Sequence, residues 1–433
     1  MSRVAVIGTG YVGLTTGACL AHLGHQVVCA DIDAAKVDLL QSGRIPIFEV
    51  GLEALVAESV AQHRLSFVVG SAAAVTEAAA EFVFLCVQTP QGADGSADLR
   101  FVEQASGEIG PVLASGAIVI TKSTVPVGSA RVVEQALGRS DVFVASNPEF
   151  LREGQAVHDC LHPDRVVIGC DDQGAAAKVA ALYQSLNVPV MVTDPATAET
   201  IKYACNAFLA TKISYINAIA NLCQAVGADV RDVVLGMGYD KRIGFEFLKP
   251  GPGWGGSCFP KDSRALVRIA EDAGYDFELL KGVIAVNDQQ FRLLVERIAT
   301  LAGGSLDQAV VAVWGLTFKA GTDDLRDSPA ISVISRLRDS GAAIQGYDPT
   351  VTQAKGLPPH LSHLDIEICD DPYAACAGAS VLAVLTEWDE FRWLDFDKVA
   401  AAMAAPVILD ARNLLDPASL RRRGFAYQGM GRK

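Results

Sequence analysis

The segment covering residues 4–31 restricts the fold more than any other part of the chain. Residues 4–7 form a short apolar run suited to a buried strand, residues 8–13 read G-x-G-x-x-G, and residues 14–23 have helical spacing. A second apolar run at residues 27–30 ends at an aspartate. A strand, a glycine-rich turn, a helix and a second strand in this order predict a βαβ unit that opens a doubly wound α/β domain.

The same βαβ unit predicts a dinucleotide site. Its glycines allow a tight turn and a close approach of a pyrophosphate to the N-terminus of the helix. Asp31 would bind both ribose hydroxyls of the adenosine, which favours NAD over NADP. The cofactor-binding residues expected from the motif are Gly8, Gly10, Gly13 and Asp31. A turn of this shape without a ligand is the alternative reading.

Three further strand-like runs lie between residues 82 and 145, and each ends in a polar turn. Ligands of open α/β sheets bind beyond the carboxyl ends of the strands. Thr89, Thr124 and Glu149 follow these runs one by one, so they are expected to converge on the nicotinamide end of the cofactor. Each of the three could instead be a plain turn residue.

Residues 251–262 are predicted to carry the chemistry. Four glycines and two prolines within ten residues argue against a helix or strand there, and helical spacing begins only at residue 263. Cys258 is therefore expected in a loop at a helix entrance, where free N–H groups and the helix dipole favour a thiolate. The glycines would let a substrate lie against the main chain. An inert, buried cysteine in a tight loop is the alternative.

Residues 194–226 predict a long central helix. Asp194 is suited to the N-cap and Pro195 to the first helical position. Lys202 and Asn206 are four residues apart and share one face. Because their neighbours are apolar, the helix is expected to be buried between domains, where this pair needs polar partners. A solvated lysine is the alternative, and the helix is also a natural dimer surface.

A second set of strand-like and helical patterns begins after residue 303, without the full glycine signature. The whole chain is therefore expected to be α/β, with two doubly wound Rossmann-like domains joined by a long central helix and a small helical domain. The predicted domains are residues 1–193 for NAD binding, 194–300 for the central helical and dimerisation domain, and 301–433 for a second Rossmann-like domain that binds the substrate. Lys319, Arg326 and Arg412 are expected near the ligand-facing strand ends of that last domain, with solvated surface charges as the alternative.

Charge and cysteine usage limit the class of partner. The net charge of −14 argues against nucleic acid or an anionic membrane surface as the main partner. No apolar run reaches membrane-spanning length, and Met1 leads into the first strand without a long apolar leader, so a cytoplasmic location is expected.

Ten cysteines without a Cys-x-x-Cys pair fit neither a disulfide framework nor a zinc ribbon. The His/Asp/Cys cluster at residues 158–164 is too irregular for zinc, so no metal is predicted.

Taken together, the motifs resemble the UDP-glucose 6-dehydrogenase family, within the wider UDP-glucose/GDP-mannose dehydrogenase group. The stretches that carry the resemblance are residues 8–13, 123–126, 147–154, 163–165, 202–206, 242–244, 255–262 and 318–319, with Arg326. They are long, jointly specific and in the right order over nearly the whole chain. Residues 163–165, and residues 242–244 together with Phe247 and Leu248, look more like UDP-glucose members than GDP-mannose members.

The resemblance implies oxidation of a primary alcohol to a carboxylate with two NAD⁺, through a thiohemiacetal and a thioester on Cys258. Lys202 and Asn206 would stabilise oxyanions. Asp262, Thr124 and Glu149 would hold or activate water and accept protons. The NAD contacts implied by the family are Val12, Asp31, Lys36, Thr89, Thr124, Glu153, Lys261 and Arg326. The implied substrate contacts are Glu149, Phe150, Leu151, Arg152, Glu153, Lys202, Asn206, Arg242, Phe247, Leu248, Lys249, Pro250, Gly251, Gly255, Lys319 and Arg412.

Three other functions are compatible with parts of this pattern. The first is the same chemistry on GDP-mannose or a UDP-N-acetylaminosugar. The second is a two-electron β-hydroxyacid dehydrogenase, which shares the Lys-x-x-x-Asn helix but needs no nucleophilic cysteine. The third is a non-catalytic protein that senses NAD or a nucleotide sugar.

A homodimer or a higher homo-oligomer is expected, and Arg242 would reach the site of a neighbouring subunit.

Overall fold

The computed structural model describes residues 1–92, 97–354 and 356–432. These residues pack into two compact units. The first unit comprises Met1–Cys205 and Arg264–Tyr275, and the second comprises Asn206–Ser263 and Asp276–Lys433. The division into three domains at 193/194 and 300/301 stays a prediction.

The first unit is built on an eight-stranded sheet, counted over the described residues. Its strands are β1 (Arg3–Ile7), β2 (Gln26–Asp31), β3 (Leu65–Val69), β4 (Phe82–Leu85), β5 (Ile118–Thr121), β6 (Phe143–Ser146), β7 (Val166–Gly169) and β8 (Val190–Thr193). The strand order is 3-2-1-4-5-6-7-8, with parallel pairing apart from one antiparallel bridge between β6 and β7. The first six strands have the order of a dinucleotide-binding sheet, whose switch point lies between β1 and β4.

Helices cover both faces of this sheet, as buried parallel strands require. They are α1 (Tyr11–His22), α2 (Ala34–Gln41), α3 (Leu52–Ala61), α4 (Ser71–Ala78), α5 (Arg100–Ile109), α6 (Ser129–Leu137), α7 (Ala156–Leu161) and α8 (Gln173–Ala181). Alternate residues of the strands enter two separate apolar cores: Val4 and Val6 enter one, and Ala5 and Ile7 enter the other.

Four further helices follow along the chain. They are α9 (Pro195–Val226), α10 (Val230–Gly238), α11 (Phe259–Asp272) and α12 (Glu278–Leu301). Helix α9 begins and ends where the sequence predicts. Helix α11 begins four residues earlier than predicted because Pro260, in the first turn, lacks only an N–H that has no helical partner there. The expectation that residues 259–262 are loop was therefore wrong.

The second unit contains a six-stranded, all-parallel sheet, again counted over the described residues. Its strands are β9 (Val310–Trp314), β10 (Ala343–Tyr347), β11 (Ile366–Ile368), β12 (Val381–Val384), β13 (Val407–Asp410) and β14 (Ala426–Gly429), and the helices of this part are α13 (Pro329–Asp339), α14 (Phe396–Ala402) and α15 (Pro417–Arg422). The strand order 11-10-9-12-13-14 repeats the doubly wound pattern. The α/β prediction with two such sheets and a long central helix is confirmed. Within the described residues, no helix is long and apolar enough to cross a membrane.

Candidate active site

The glycine-rich turn between β1 and α1 has the geometry of a dinucleotide cradle. A Cβ at Gly13 would lie 1.9 Å from the carbonyl oxygen of Gly8, so only glycine lets the helix approach the strand this closely. Gly10 caps the N-terminus of α1 without a side-chain hydrogen bond, and no atom lies within 4 Å of the place a Cβ would take there. The end of the helix therefore keeps open space for a pyrophosphate. Val12, in the first turn of α1, is half-buried beside it.

Asp31, at the end of β2, is held as an ionised acceptor. Its Oδ2 accepts hydrogen bonds from Thr9 N at 3.0 Å, Thr9 Oγ1 at 2.7 Å and Lys36 Nζ at 2.9 Å. Burial alone would raise the pKa of Asp31, but these donors outweigh it and lower the pKa to about 2. A carboxylate at this point of the turn fits a ribose diol.

The strand-end residues meet in part as the sequence predicts. Thr89 Oγ1 donates to the carbonyl oxygen of Thr124 at 2.8 Å, which joins the turns after β4 and β5. A small cleft in the first unit is lined by Thr121, Ser123, Thr124, Val125, Ser146, Pro148, Glu199 and Lys202. Thr124 thus shares a cleft with the lysine of α9. Glu149 directly follows Pro148, a lining residue of this cleft, after the end of β6.

Lys202 and Glu149 form a buried ion pair. Lys202 Nζ lies 2.8 Å from both Glu149 Oε1 and the Glu149 carbonyl oxygen, and both side chains are 5% exposed. Burial would raise the pKa of Glu149, but the charge and hydrogen bond of Lys202 and the N–H of Leu151 bring it below its usual value. The expectation that the lysine needs a polar partner is confirmed, and the solvated alternative is excluded.

Cys258 directly precedes the first turn of α11 in the second unit. Its carbonyl oxygen accepts the Asp262 N–H at 2.9 Å, so Cys258 stands at the N-cap position. Asp262 is buried within that first turn, accepting from Asn206 Nδ2 at 2.7 Å and Lys261 Nζ at 2.6 Å. The half-buried thiol therefore lies where the helix dipole favours a thiolate.

The remaining predicted residues of the first unit lie around the loop after β6. The Phe150 ring lies 3.8 Å from the Arg165 guanidinium and 5.5 Å from Lys202 Nζ. Arg152 is exposed and forms an ion pair with Asp159 at 2.6 Å. The predicted residues Leu151 and Glu153 are half-buried.

Residues 247–251 differ in conformation, packing and exposure. Phe247 has φ of 62°, a left-handed conformation that is strained for an aromatic residue. The side chain of Leu248 belongs to the apolar core of α9 and α10, so it has a packing role. Lys249 is exposed and Pro250 half-buried, and Gly251 is buried beside Arg412.

The predicted arginines of the second unit already have protein partners. Arg242 is exposed and pairs with Asp240 at 2.6 Å, and Arg326 pairs with Asp324 at 2.6 Å. Arg412 donates to the carbonyl oxygens at the end of β12 and in the turn after β9, at 2.8 and 3.1 Å. Its guanidinium therefore ties two strand ends together. Lys319 lies 5.5 Å from the ring of the preceding phenylalanine.

The structure also reveals functional candidates that the sequence patterns did not predict. Glu49 accepts the N–H groups of Gly154 and Ala156 at 2.6 and 2.8 Å, which fixes the loop after β6. Glu199, one turn before Lys202, accepts the N–H of Gly128 at 2.6 Å. Its burial raises its pKa. These contacts join residues 71 to 107 positions apart, so no local pattern could show them.

Lys122 is a further unpredicted candidate. Lys122 directly follows β5, and its buried ammonium group donates at 3.1 Å to the Oδ1 of Asn147, which directly follows β6. The same oxygen accepts the Tyr183 hydroxyl at 2.6 Å. Burial lowers the pKa of Lys122. In the sequence, the available signal for Lys122 was a polar residue directly after a buried strand.

For metals, the described part of the chain holds no cluster of three or more His, Cys, Asp or Glu side chains suited to bind one.

Comparisons with known proteins agree with this geometry. The chain matches three models of the UDP-glucose/GDP-mannose dehydrogenase family: the NAD binding domain at residues 2–187, the central domain at 196–289 and the UDP binding domain at 312–417. It is 46% identical over 441 residues to UDP-glucose 6-dehydrogenase of Rhizobium meliloti (strain 1021), with 99% of each chain covered.

The fold is also similar to that of solved structures. A UDP-glucose dehydrogenase from the hyperthermophilic archaeon Pyrobaculum islandicum matches with a TM-score of 0.90 and 35% identity, over 100% of this chain and 98% of that one. A UDP-D-ManNAc dehydrogenase from Pyrococcus horikoshii matches with a TM-score of 0.86 and 28% identity, over 99% of each.

The cradle at α1, the ionised Asp31 and the NAD binding domain model define an NAD-dependent oxidoreductase. Because the family models cover most of its length, the chain belongs to the UDP-glucose/GDP-mannose dehydrogenase family. The predictions of NAD as cofactor and of an enzyme are thereby confirmed. The UDP binding domain model supports a nucleotide sugar as the substrate.

Proposed function

We propose that this enzyme oxidises UDP-glucose to UDP-glucuronate, using two NAD⁺ for each sugar. The observation that carries the substrate assignment is the similarity over 99% of the chain to a relative named UDP-glucose 6-dehydrogenase, at 46% identity. The Lys202–Glu149 pair and the position of Cys258 at the start of α11 support the chemistry.

The first unit would supply the charges around the reacting carbon. Lys202 already holds a carboxylate and a carbonyl oxygen within 2.8 Å, so its ammonium can stabilise an alkoxide that forms on the substrate. Glu149, ionised by that lysine, can accept a proton or orient water, and Thr124 can hold the same water. Phe150, Leu151, Arg152 and Glu153 are proposed to contact the sugar nucleotide.

The second unit would supply the nucleophile. Cys258, as a thiolate, is proposed to attack the aldehyde carbon of the half-oxidised sugar. Asn206 and Asp262 share a hydrogen bond of 2.7 Å, which orients the amide as an oxyanion donor and the carboxylate as a proton acceptor. Residues 247–251, Gly255, Lys319 and Arg412 are proposed substrate contacts, and Lys261 and Arg326 are proposed to contact NAD.

The electrons and protons balance over four steps. The C6 alcohol loses a hydride and a proton and becomes an aldehyde. The Cys258 sulfur adds to the aldehyde carbon, and the oxygen takes a proton to give a thiohemiacetal. Loss of a second hydride and a proton gives a thioester, and water then replaces the sulfur to release the carboxylate and the thiol. NAD⁺, when bound, accepts the hydride in each oxidation.

The proposed NAD contacts in the first unit follow from the turn geometry. Gly8, Gly10, Val12 and Gly13 would receive the pyrophosphate at the N-terminus of α1. Asp31 would bind the adenosine ribose and Lys36, already paired with it, would lie beside that ribose. Thr89, Thr124 and Glu153 would contact the nicotinamide end.

A panel of nucleotide sugars tests the substrate assignment. NADH formation is measured with UDP-glucose, GDP-mannose and UDP-N-acetylmannosamine at equal concentrations, and kcat/KM is expected to be highest for UDP-glucose by at least about tenfold, since discrimination of this size requires only about 1.4 kcal/mol. The Pyrococcus horikoshii match keeps the aminosugar as the second candidate. A higher kcat/KM with either competitor would overturn the assignment. If no sugar gave NADH, the result would instead favour a non-catalytic protein that senses NAD or a nucleotide sugar.

A further inference from the structure

The loop that carries Cys258 is held by side-chain amides instead of by a neighbouring strand. Residues 250–255 lie outside any helix or strand of the described chain, so their backbone N–H and C=O groups need other partners. Asn217 on α9, and Asn287 and Gln290 on α12, supply them. These three buried residues are called the amide clamp below.

The clamp forms hydrogen bonds with both the N–H and the C=O group of two loop residues. The Gly251 N–H donates to Asn217 Oδ1 at 2.8 Å, and Gln290 Nε2 donates to the Gly251 carbonyl oxygen at 2.8 Å. The Trp254 N–H donates to Asn287 Oδ1 at 2.8 Å, and Asn287 Nδ2 donates to the Trp254 carbonyl oxygen at 3.0 Å. Asn287 therefore pairs with Trp254 as a neighbouring strand would.

Close packing fixes the loop between these hydrogen bonds and the cysteine. A Cβ at Gly253 would lie 2.7 Å from the Phe291 ring and 2.8 Å from Asn287 Oδ1, and a Cβ at Gly255 would lie 2.0 Å from the Asp327 carbonyl oxygen. Contacts within the protein therefore require glycine at both positions.

A second set of contacts supports the clamp. The Trp254 indole donates to Ser214 Oγ at 2.8 Å, and that hydroxyl donates to the Val283 carbonyl oxygen at 3.0 Å. Asn221 Nδ2 donates to Gln290 Oε1 at 2.9 Å. The clamp thus belongs to a connected polar network in the interior, where a lost partner leaves buried groups unsatisfied.

We propose that the amide clamp is a positioning device for the nucleophile, and that Asn287 is its principal member. Cys258 follows Trp254 by four residues and stands at the N-cap of α11. The backbone position that Asn287 imposes on Trp254 is therefore passed on to the sulfur through a short, closely packed segment. A displacement of about 1 Å at a reacting group can cost about 10²-fold in rate. The inference rests on the proposed function, because it takes Cys258 as the nucleophile.

Asn287→Asp and a matched control, Asn413→Asp, test this role. Asn413 makes the same paired contact, donating to the Met430 carbonyl oxygen at 2.9 Å and accepting the Met430 N–H at 2.8 Å. Each substitution keeps the shape and one acceptor but sets a carboxylate oxygen against a carbonyl oxygen. The kcat and KM for UDP-glucose, the melting temperature, and the rate of Cys258 alkylation by iodoacetamide, followed on its peptide, are measured for both.

Asn287→Asp is expected to lower kcat at least tenfold and to change the alkylation rate at least threefold, while Asn413→Asp stays within twofold of wild type in both. Equal kcat and alkylation rates for the two variants would overturn the proposal. Should Asn287→Asp not fold, Gln290→Met, which removes the donor to Gly251, replaces it and must show the same contrast. Alkylation needs no substrate, so it tests the clamp even if wild type fails to oxidise UDP-glucose, a result that would overturn only the proposed function.

Discussion

At the scale of single residues, the Lys202–Glu149 pair connects stability to the proposed chemistry. Both groups are buried, and each would be costly alone because an unpaired charge in the interior has lost its hydration. The same pair places an ammonium and an ionised carboxylate next to each other, and the proposed reaction uses both. The stability that such a pair contributes is expected to depend on pH and to be lost when either partner is removed.

Replacing Lys202 by Met should therefore destabilise the fold by about 3–5 kcal/mol, the usual cost of leaving a buried partner uncompensated. The double variant Lys202→Met with Glu149→Leu should recover most of that loss, since no charge is then left behind. Thermal and denaturant midpoints of the two variants and wild type measure this. Equal losses for the single and double variants would show that packing, and not charge, sets the stability here.

The pH dependence of stability follows from the same pair. The folded pKa of Glu149 lies below its ordinary value, so the unfolded chain binds its proton first as pH falls. The pair's contribution is therefore complete above about pH 4.3, the unfolded value of a glutamate, and decreases as pH falls towards the lower folded value. The Glu149→Gln variant should lose less stability over this acid range than wild type.

Local patterns predict the βαβ opening, the glycine roles and the central helix because each depends on neighbours within a few turns. They also place Cys258 at a helix entrance. They could not reveal the contacts of Glu49, Lys122, Glu199 or the amide clamp, whose partners lie 25 to 107 residues away. Long-range hydrogen bonds leave no periodic trace in the sequence. The first turn of α11 was not predicted because Pro260 and the glycines that precede this turn indicate a loop when read alone.

At the scale of secondary-structure elements, helix α9 has an exposed apolar stripe. Phe208, Tyr215 and Leu222 are 65%, 53% and 55% exposed and follow one another at intervals of seven residues. Residues spaced by seven lie on one face of a helix, about two turns apart. We propose that this stripe packs against a second copy of the chain, in line with the dimer expected from sequence.

Charges placed on the stripe should break that association. The double variant Tyr215→Glu with Leu222→Glu is expected to sediment as a single chain of 45.6 kDa, whereas wild type sediments at twice that mass or more. Trp393→Glu is the control, because Trp393 is 84% exposed but lies on another part of the second unit. Wild-type mass for the double variant, or a monomeric wild type, would contradict the stripe as an interface.

At the scale of the whole molecule, the proposed reaction draws on both compact units. Lys202, Glu149 and Thr124 belong to the first unit, and Cys258, Asn206 and Asp262 to the second. Helix α9 carries residues of both groups, with Lys202 and Asn206 one turn apart. The family models likewise extend over both units, from residue 2 to residue 417. The proposed four-electron oxidation therefore assigns roles to residues of both units.

The yield of NADH per sugar tests the covalent scheme most directly. Wild type, given limiting UDP-glucose and excess NAD⁺, is predicted to form two NADH and one UDP-glucuronate per sugar, while Cys258→Ser still binds both ligands but forms no acid at a comparable rate. A Cys369→Ser control should behave as wild type. Near-normal acid formation by Cys258→Ser, or one NADH per sugar from wild type, would contradict the account.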